Sequence, residues 1–353
     1  MALVLVLCMT SLWSIAQAVK IQTYNVGLIN HIDNYKIRKR NIIRELKSGD
    51  YDVMCLQEMH YGSDLTLLKK KLDKSVYVYH PSLYQETMLW GSINAPPCHN
   101  APLTTLDVLY NCAFLANDLA ALAKCVTERD LMTESQGCIT CLLVSGWDVS
   151  RCFNYIAREA INIPGLVLLS KRKIDTMKTV EFEPGVKQIS KRAYIEAEIE
   201  GVGTVFCSHS TSNSNIEYYE PFLQDVYSSL AEQNLNDSRK LTDAANLSDK
   251  PVILGDLNTG PVIPAFNVSA EFEDSYNHFL SEGFSSPYVT MVQKCTFCSL
   301  NPLVKNWETN EVLDHVLIRN HTVLSAKRLF VQNIPRKNYP MSDHYGVEVE
   351  IGN

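Results

Sequence analysis

An α/β domain is the fold class this sequence predicts, and three observations carry it. Apolar runs of strand length alternate with helix-period segments through residues 20–80. Five short apolar runs, spread between residues 21 and 345, end in an acid, an amide or an imidazole. The 353 residues are 46% hydrophobic, enough for one large core or two small ones. A strand buried along its length and polar only at its last residues delivers those groups to the rim of a sheet, where ligands of open α/β folds collect.

Taken in order, residues 21–26 read as a strand carrying Asn25, and residues 36–46 as a helix with Ile37, Ile42, Ile43 and Leu46 at helical spacing. Residues 52–57 give a second strand leading to Gln57-Glu58, residues 65–72 a second helix and residues 76–79 a third strand. Residues 84–160 break the alternation with Pro96-Pro97 and six of the cysteines, and are expected to form a stapled insertion beside the substrate cleft. Within it, Leu106, Leu109, Leu115, Leu119 and Leu122 predict a helix over 106–125 that packs on the body of the fold. Strands resume at 163–170, 192–199 and 203–208, the last running into His209. A helix over 217–233 is expected before the polar stretch 234–250, read as a glycosylated loop or short helix. The runs ending in Gly255-Asp256-Leu257-Asn258, in Leu313-Asp314-His315 and in Ser342-Asp343-His344 follow, and residues 346–351 close the chain.

Residues 2–8 and 11–18 are apolar and end in Ala16-Gln17-Ala18, a small-x-small cleavage pattern, so residues 1–18 are expected to be a secretory signal peptide. An uncleaved anchor is the alternative, because no Lys or Arg precedes the run. The first strand begins so soon afterwards that no stalk remains, which favours cleavage. Sequons at Asn236, Asn246, Asn267 and Asn320 fit the same route. Without Cys8, ten cysteines remain, and Cys98, Cys112, Cys125, Cys138, Cys141 and Cys152 form a local disulfide framework suited to an oxidising compartment. Zinc knuckles at Cys138-Ile-Thr-Cys141 and Cys295-Thr-Phe-Cys298 are the competing reading. Cys55 and Cys207, inside apolar strands, read as buried thiols. A net charge of −7 gives no electrostatic footprint for tight polyanion binding, and Lys69-Lys70-Lys71 and residues 187–192 are the basic clusters.

The ordered set Asn25, Gln57-Glu58, a mid-chain His209, Gly255-Asp256-Leu257-Asn258, Asp314-His315 and Ser342-Asp343-His344 closely resembles the endonuclease/exonuclease/phosphatase superfamily. That superfamily of metal-dependent phosphoesterases includes pancreatic-type deoxyribonucleases, abasic-site endonucleases, inositol polyphosphate 5-phosphatases and neutral sphingomyelinases. The resemblance spans about residues 20–351 and implies a single-domain, four-layered sandwich of two mixed β-sheets flanked by helices over residues 19–353. It also implies Mg²⁺, with Mn²⁺ or Ca²⁺ as alternatives, held by Glu58 with Asn25 and Asp343. Asp314 would orient His344 as general base or electrostatic clamp, and Asp256 would orient or deprotonate the attacking water. Asn258 and Asn25 would hold phosphate oxygens, Arg192 would contact phosphate, and His209 would protonate the leaving oxygen or bind the phosphate. His315 should point away from the site and be structural.

The expectation is therefore a secreted, monomeric, metal-dependent phosphodiesterase with no dedicated protein partner. Nucleic acid is the favoured substrate and a phospholipid headgroup, cleaved in the manner of a sphingomyelinase-like phospholipase C, is the runner-up. A catalytically inactive binding protein on the same fold is the remaining reading; it predicts loss of Glu58, Asp256, Asp314 or His344, and all four are present.

Overall fold

The structure, a computed structural model, describes residues 18–88, 93–101, 134–146, 148–188, 190–213, 226–305 and 307–352. The expected leader, apart from Ala18, lies outside these residues, as do the leucine-striped helix, Cys112, Cys125 and most of the helix expected over 217–233.

In chain order the strands are β1 (Val19–Asn25), β2 (Val53–Gln57), β3 (Tyr77–Tyr79), β4 (Glu86–Thr87), β5 (Asn94–Ala95), β6 (Val167–Ser170), β7 (Ile174–Glu181), β8 (Ala193–Ile199), β9 (Gly203–His209), β10 (Val252–Asp256), β11 (Asp314–Ile318), β12 (Thr322–Leu329) and β13 (Gly346–Gly352). The helices are α1 (Tyr35–Ser48), α2 (Gly62–Lys71), α3 (Gln136–Ser145), α4 (Leu230–Ala245), α5 (Glu273–Ser281) and α6 (Pro287–Met291). One sheet runs β12-β13-β1-β2-β6-β3, the other β11-β10-β9-β8-β7, and β4 and β5 form a small hairpin.

Period-2 alternation assembles the layers. Val19, Ile21, Val53 and Leu168 of the first sheet meet Ile195, Val205, Leu254 and Val316 of the second in the central core. The intervening residues Tyr24, Met54 and Leu56 turn outward onto Ile42, Leu46, Leu65 and Leu68 of α1 and α2. On the far side, Phe206, Ile253 and Leu317 meet Leu241 of α4 and Phe279 of α5. Helices, sheet, sheet and helices are thus the layers, and each fully buried Leu, Ile or Val contributes about 1.5–3 kcal/mol.

Each sheet has a parallel pair at its centre, β1 with β2 and β9 with β10, flanked by antiparallel strands. The C-terminal ends of the parallel pair and the N-terminal ends of their antiparallel neighbours therefore share one rim. This corrects the reading of the polar motifs as strand endings: Asp314 opens β11, while Asp343 and His344 precede β13. The antiparallel direction of those two strands brings their starts to the rim reached by Asn25 and Asp256.

Three further expectations change. Cys55 and Cys207 are not free thiols but a disulfide, Cα to Cα 5.4 Å, because both side chains face the central core from opposite sheets. Cys138 pairs with Cys98, Cys141 with Cys152 and Cys295 with Cys298, which leaves no paired zinc knuckles. The helix expected to end at 233 continues through the polar stretch read as a loop or short helix, so that residues 230–245 form α4, started where Ser229 accepts from the Glu232 amide and Glu232 accepts from the Ser228 amide.

Candidate active site

The rim is laid out by strand register. In the first sheet Asn25 is level with Gln57, and Glu58 follows in a left-handed backbone turn (φ 59°). In the second, His209, Asp256 and Asp314 form one row on three adjacent strands, and Arg192 precedes Ala193, the next residue in that row. Beneath the rims, the Cys55–Cys207 bond fastens β2 to β9, three residues before Glu58 and two before His209.

Asp256 stands at the centre. Its Oδ2 accepts from Asn25 Nδ2 at 2.9 Å and lies 3.7 Å from both His209 Nε2 and His344 Nε2. Asn25 Nδ2 also donates to Glu58 Oε1 at 3.0 Å, while Asn25 Oδ1 accepts from the Gly27 amide, which fixes the amide's orientation. His344 Nδ1 donates to Asp314 Oδ2 at 2.9 Å, leaving Nε2 toward Asp256. The Ser342 hydroxyl donates to the Asn25 carbonyl and lies 3.0 Å from Asp343 Oδ1, joining the segment before β13 to the end of β1 within the first sheet. Asn258, also in a left-handed turn, gives its backbone amide to Asp256 Oδ1 and one amide hydrogen to the Ser210 carbonyl. Arg192 donates to Ser212 Oγ at 3.1 Å from the edge of the site. His315 turns away and donates to the Thr259 carbonyl at 2.7 Å, as expected of a structural residue.

Burial and crowding separate the titrating groups. Burial above all pushes Asp256 up to about 7; the charge of His344 and the Asn25 hydrogen bond work against this, and the charges of Asp314 and Glu58 add to it. Burial and then Asp343 raise Glu58. Burial pulls His344 down, but Asp314 and Asp256 together hold it well above the usual imidazole range. His209 is held well below that range by burial, then by Arg192, His60 and His344.

The carboxylates of Glu58, Asp256, Asp314 and Asp343 exceed the cations that face them, and Asp314 Oδ1 is buried without a partner. Asp256, Asp314 and His344 offer ligand atoms all within 4.8 Å of one another, a grouping distinct from the expected Glu58, Asn25 and Asp343. Hard oxygen donors with unneutralised charge fit a divalent cation such as Mg²⁺.

Three residues here escaped sequence reasoning. Arg38 is fully buried in α1 and donates to the carbonyls of Val26, Gly27, Ile32, Asp33 and Met341, pinning the loop after Asn25 to the segment before Ser342. A charge at the 38, 42, 46 spacing of an apolar stripe was its signal. His60, two residues past Glu58, donates through Nδ1 to the Asn162 carbonyl at 3.0 Å and is driven down to about 4 by burial. The Phe297 ring lies tilted against that of His344, with centroids 4.9 Å apart.

The Endonuclease/Exonuclease/phosphatase family matches residues 23–344. Among solved structures, an endonuclease/exonuclease/phosphatase family protein from Leptotrichia buccalis C-1013-b is similar with TM-score 0.53 at 16% identity, over 95% of this chain and 100% of that one. The structure of D. rerio TDP2 complexed with single strand DNA product gives 0.54 at 12% identity, over 96% and 100%. A functionally unknown conserved protein from Enterococcus faecalis V583 gives 0.53 at 13%, over 95% and 100%. At these identities the likeness is one of fold. No curated protein matches this sequence. The family match takes in every rim residue from Asn25 to His344, and the chain belongs to the Endonuclease/Exonuclease/phosphatase family.

Proposed function

We propose that the protein is a secreted, divalent-metal-dependent phosphodiesterase acting on nucleic acid. The observation that carries the reading is the continuous set Glu58, Asn25, Asp256, His344 and Asp314, linked by contacts of 2.9–3.7 Å across the rims of two sheets.

Glu58 and Asp343 would supply the oxygen donors for the cation, which leaves Asp256 and His344 free for proton chemistry. When bound, that cation neutralises charge on the phosphoryl oxygens. Asp256, titrating near neutrality, accepts the proton of the attacking water. His344, kept protonated by Asp314, donates from Nε2 to a phosphoryl oxygen and stabilises developing charge. His209, kept neutral, binds phosphate as a hydrogen-bond donor, and this supports phosphate binding over acid catalysis among its two expected roles. Asn25 and Asn258 orient Asp256 through its two oxygens, and Arg192 adds positive charge at the edge.

Nucleic acid is favoured by the single strand DNA product in the D. rerio TDP2 neighbour. Secretion is supported by the four described disulfides, and no helix among the described residues is long and apolar enough to cross a membrane. The test is hydrolysis of plasmid DNA and of sphingomyelin vesicles, in parallel, with Mg²⁺ or EDTA. Metal-dependent DNA cleavage is expected. Cleavage of sphingomyelin alone would replace the substrate, and inertness toward both would refute the reading.

A further inference from the structure

Asp314 and His344 come from two separate segments, and a third segment lies against both of them. Residues 295–298 form a tetrapeptide closed by the Cys295–Cys298 disulfide, and Arg328 donates to its first carbonyl at 2.9 Å. Thr296, inside it, is fully buried. Its amide donates to the Glu311 carbonyl and its carbonyl accepts from the Tyr345 amide, both at 2.8 Å. The backbone of this one residue therefore spans from the approach to Asp314 to the residue after His344. Phe297 bridges the same two segments, pairing with Glu311 on one side and His344 on the other.

The Thr296 side chain reaches the couple more directly. Its Oγ1 accepts from the Leu313 amide at 3.0 Å and from the Asp314 amide at 3.1 Å. A hydroxyl oxygen has two lone pairs, so both are engaged here. Asp314 opens β11, and among the described residues its carboxylate has one hydrogen-bond partner, His344 Nδ1 at 2.9 Å, while Oδ1 is buried without any. A carboxylate so lightly held takes its position from its backbone, and the two amides leading into it are gripped by Thr296.

We propose that Thr296 is a positioning residue. Its hydroxyl oxygen sets the Asp314 carboxylate at hydrogen-bond distance from His344, and its carbonyl holds the other side of the pair through Tyr345. Being fully buried, it touches no substrate and acts only through this couple. The inference rests on the role given above to Asp314 and His344. Valine keeps the shape of threonine but lacks the acceptor, so Thr296→Val leaves two buried amides unsatisfied and the turn that carries Asp314 must move. Serine restores the oxygen. A displacement of about 1 Å at a reacting group can cost about 100-fold in rate.

Two readouts test the proposal, and one of them needs no substrate. In protein labelled with isotopic nitrogen at its histidines, the His344 Nδ1 proton bound to Asp314 should give a strongly downfield resonance, assigned by its absence from His344→Gln. At fixed pH, that resonance should shift or vanish in Thr296→Val and return in Thr296→Ser. In the hydrolysis assay, kcat should fall about 10–100-fold for Thr296→Val with KM little changed, and Thr296→Ser should recover most of it. A purely structural role would lower the melting temperature of Thr296→Val and leave both the resonance and the kcat of folded protein as in wild type. That result would overturn the proposal, as would serine restoring no more than valine does. If the valine variant does not fold, Thr296→Ala is judged by the same criteria. A wild type inert toward every phosphodiester, with the resonance still lost in Thr296→Val, would refute the proposed function and uphold the positioning.

Discussion

Replacing Cys55 and Cys207 by alanine should cost as much stability as the most damaging single core truncations. The disulfide closes a separation of 152 residues, and the bonds Cys98–Cys138 and Cys141–Cys152 short-circuit 40 and 11 of them. The effective loop is therefore about 100 residues, for which the chain-entropy relation gives about 4.7 kcal/mol at 25 °C. Domains of this kind have about 5–15 kcal/mol in total, so the variant would lose a third of its stability or more. Urea unfolding of non-reduced wild type and Cys55→Ala/Cys207→Ala measures this directly. The midpoint should fall and the denaturant slope should rise, because the unfolded chain without the cross-link exposes more surface. Metal-dependent hydrolysis should weaken as well, since Glu58 and His209 lose the bond that ties their strands together. A loss below about 1 kcal/mol with an unchanged slope would refute the reasoning and place the constraint elsewhere.

Further outcomes follow from the site and its supports. Glu58→Gln should abolish turnover yet stabilise the metal-free protein, because a buried carboxylate raised by burial and by Asp343 is replaced by a neutral amide; lower stability in thermal melts would contradict this. Asp237 accepts from the Thr211 amide and hydroxyl and is raised by burial to about 7 against 3.8. Between those values the native state holds a proton that the unfolded state lacks, so stability declines as pH rises from about 4 to 7; Asp237→Asn should flatten that decline, and parallel curves would exclude the assignment. Arg38→Met should destabilise by about 3–5 kcal/mol by leaving four buried carbonyls without their donor, and a melt within a degree or two of wild type would show that water replaces it.

Much of the site was legible because each rim residue adjoins a fully buried run, a pattern visible without knowing what pairs with what. Strand direction was not: an apolar run with an acid at one end, such as Asp314 with residues 315–318, reads the same whether the acid opens or closes it. The extent of α4 stayed open between loop and short helix because its inward face is Gln233, Asn234, Asp237, Ser238 and Thr242 beside Leu241 and Ala245, so hydrophobic periodicity carries little of its signal. Asn234 shows why those polar groups are inside: it donates to the carbonyls of Thr211 and Leu257, behind His209 and Asp256. The Cys55–Cys207 pair joins residues far apart in sequence with no motif between them, and only the packed sandwich brings them together.

The pairing of β1 with β13 has a consequence for the protein's biosynthesis. Asn25 is translated long before His344 and before β13, the strand that seats beside β1. Until residues 346–352 leave the ribosome, the first sheet lacks one of its inner strands and the cleft lacks its imidazole–carboxylate couple. Under the proposed function, chains stalled or cut near residue 340 lack His344 and should be silent, so that phosphate esters met during synthesis would not be attacked.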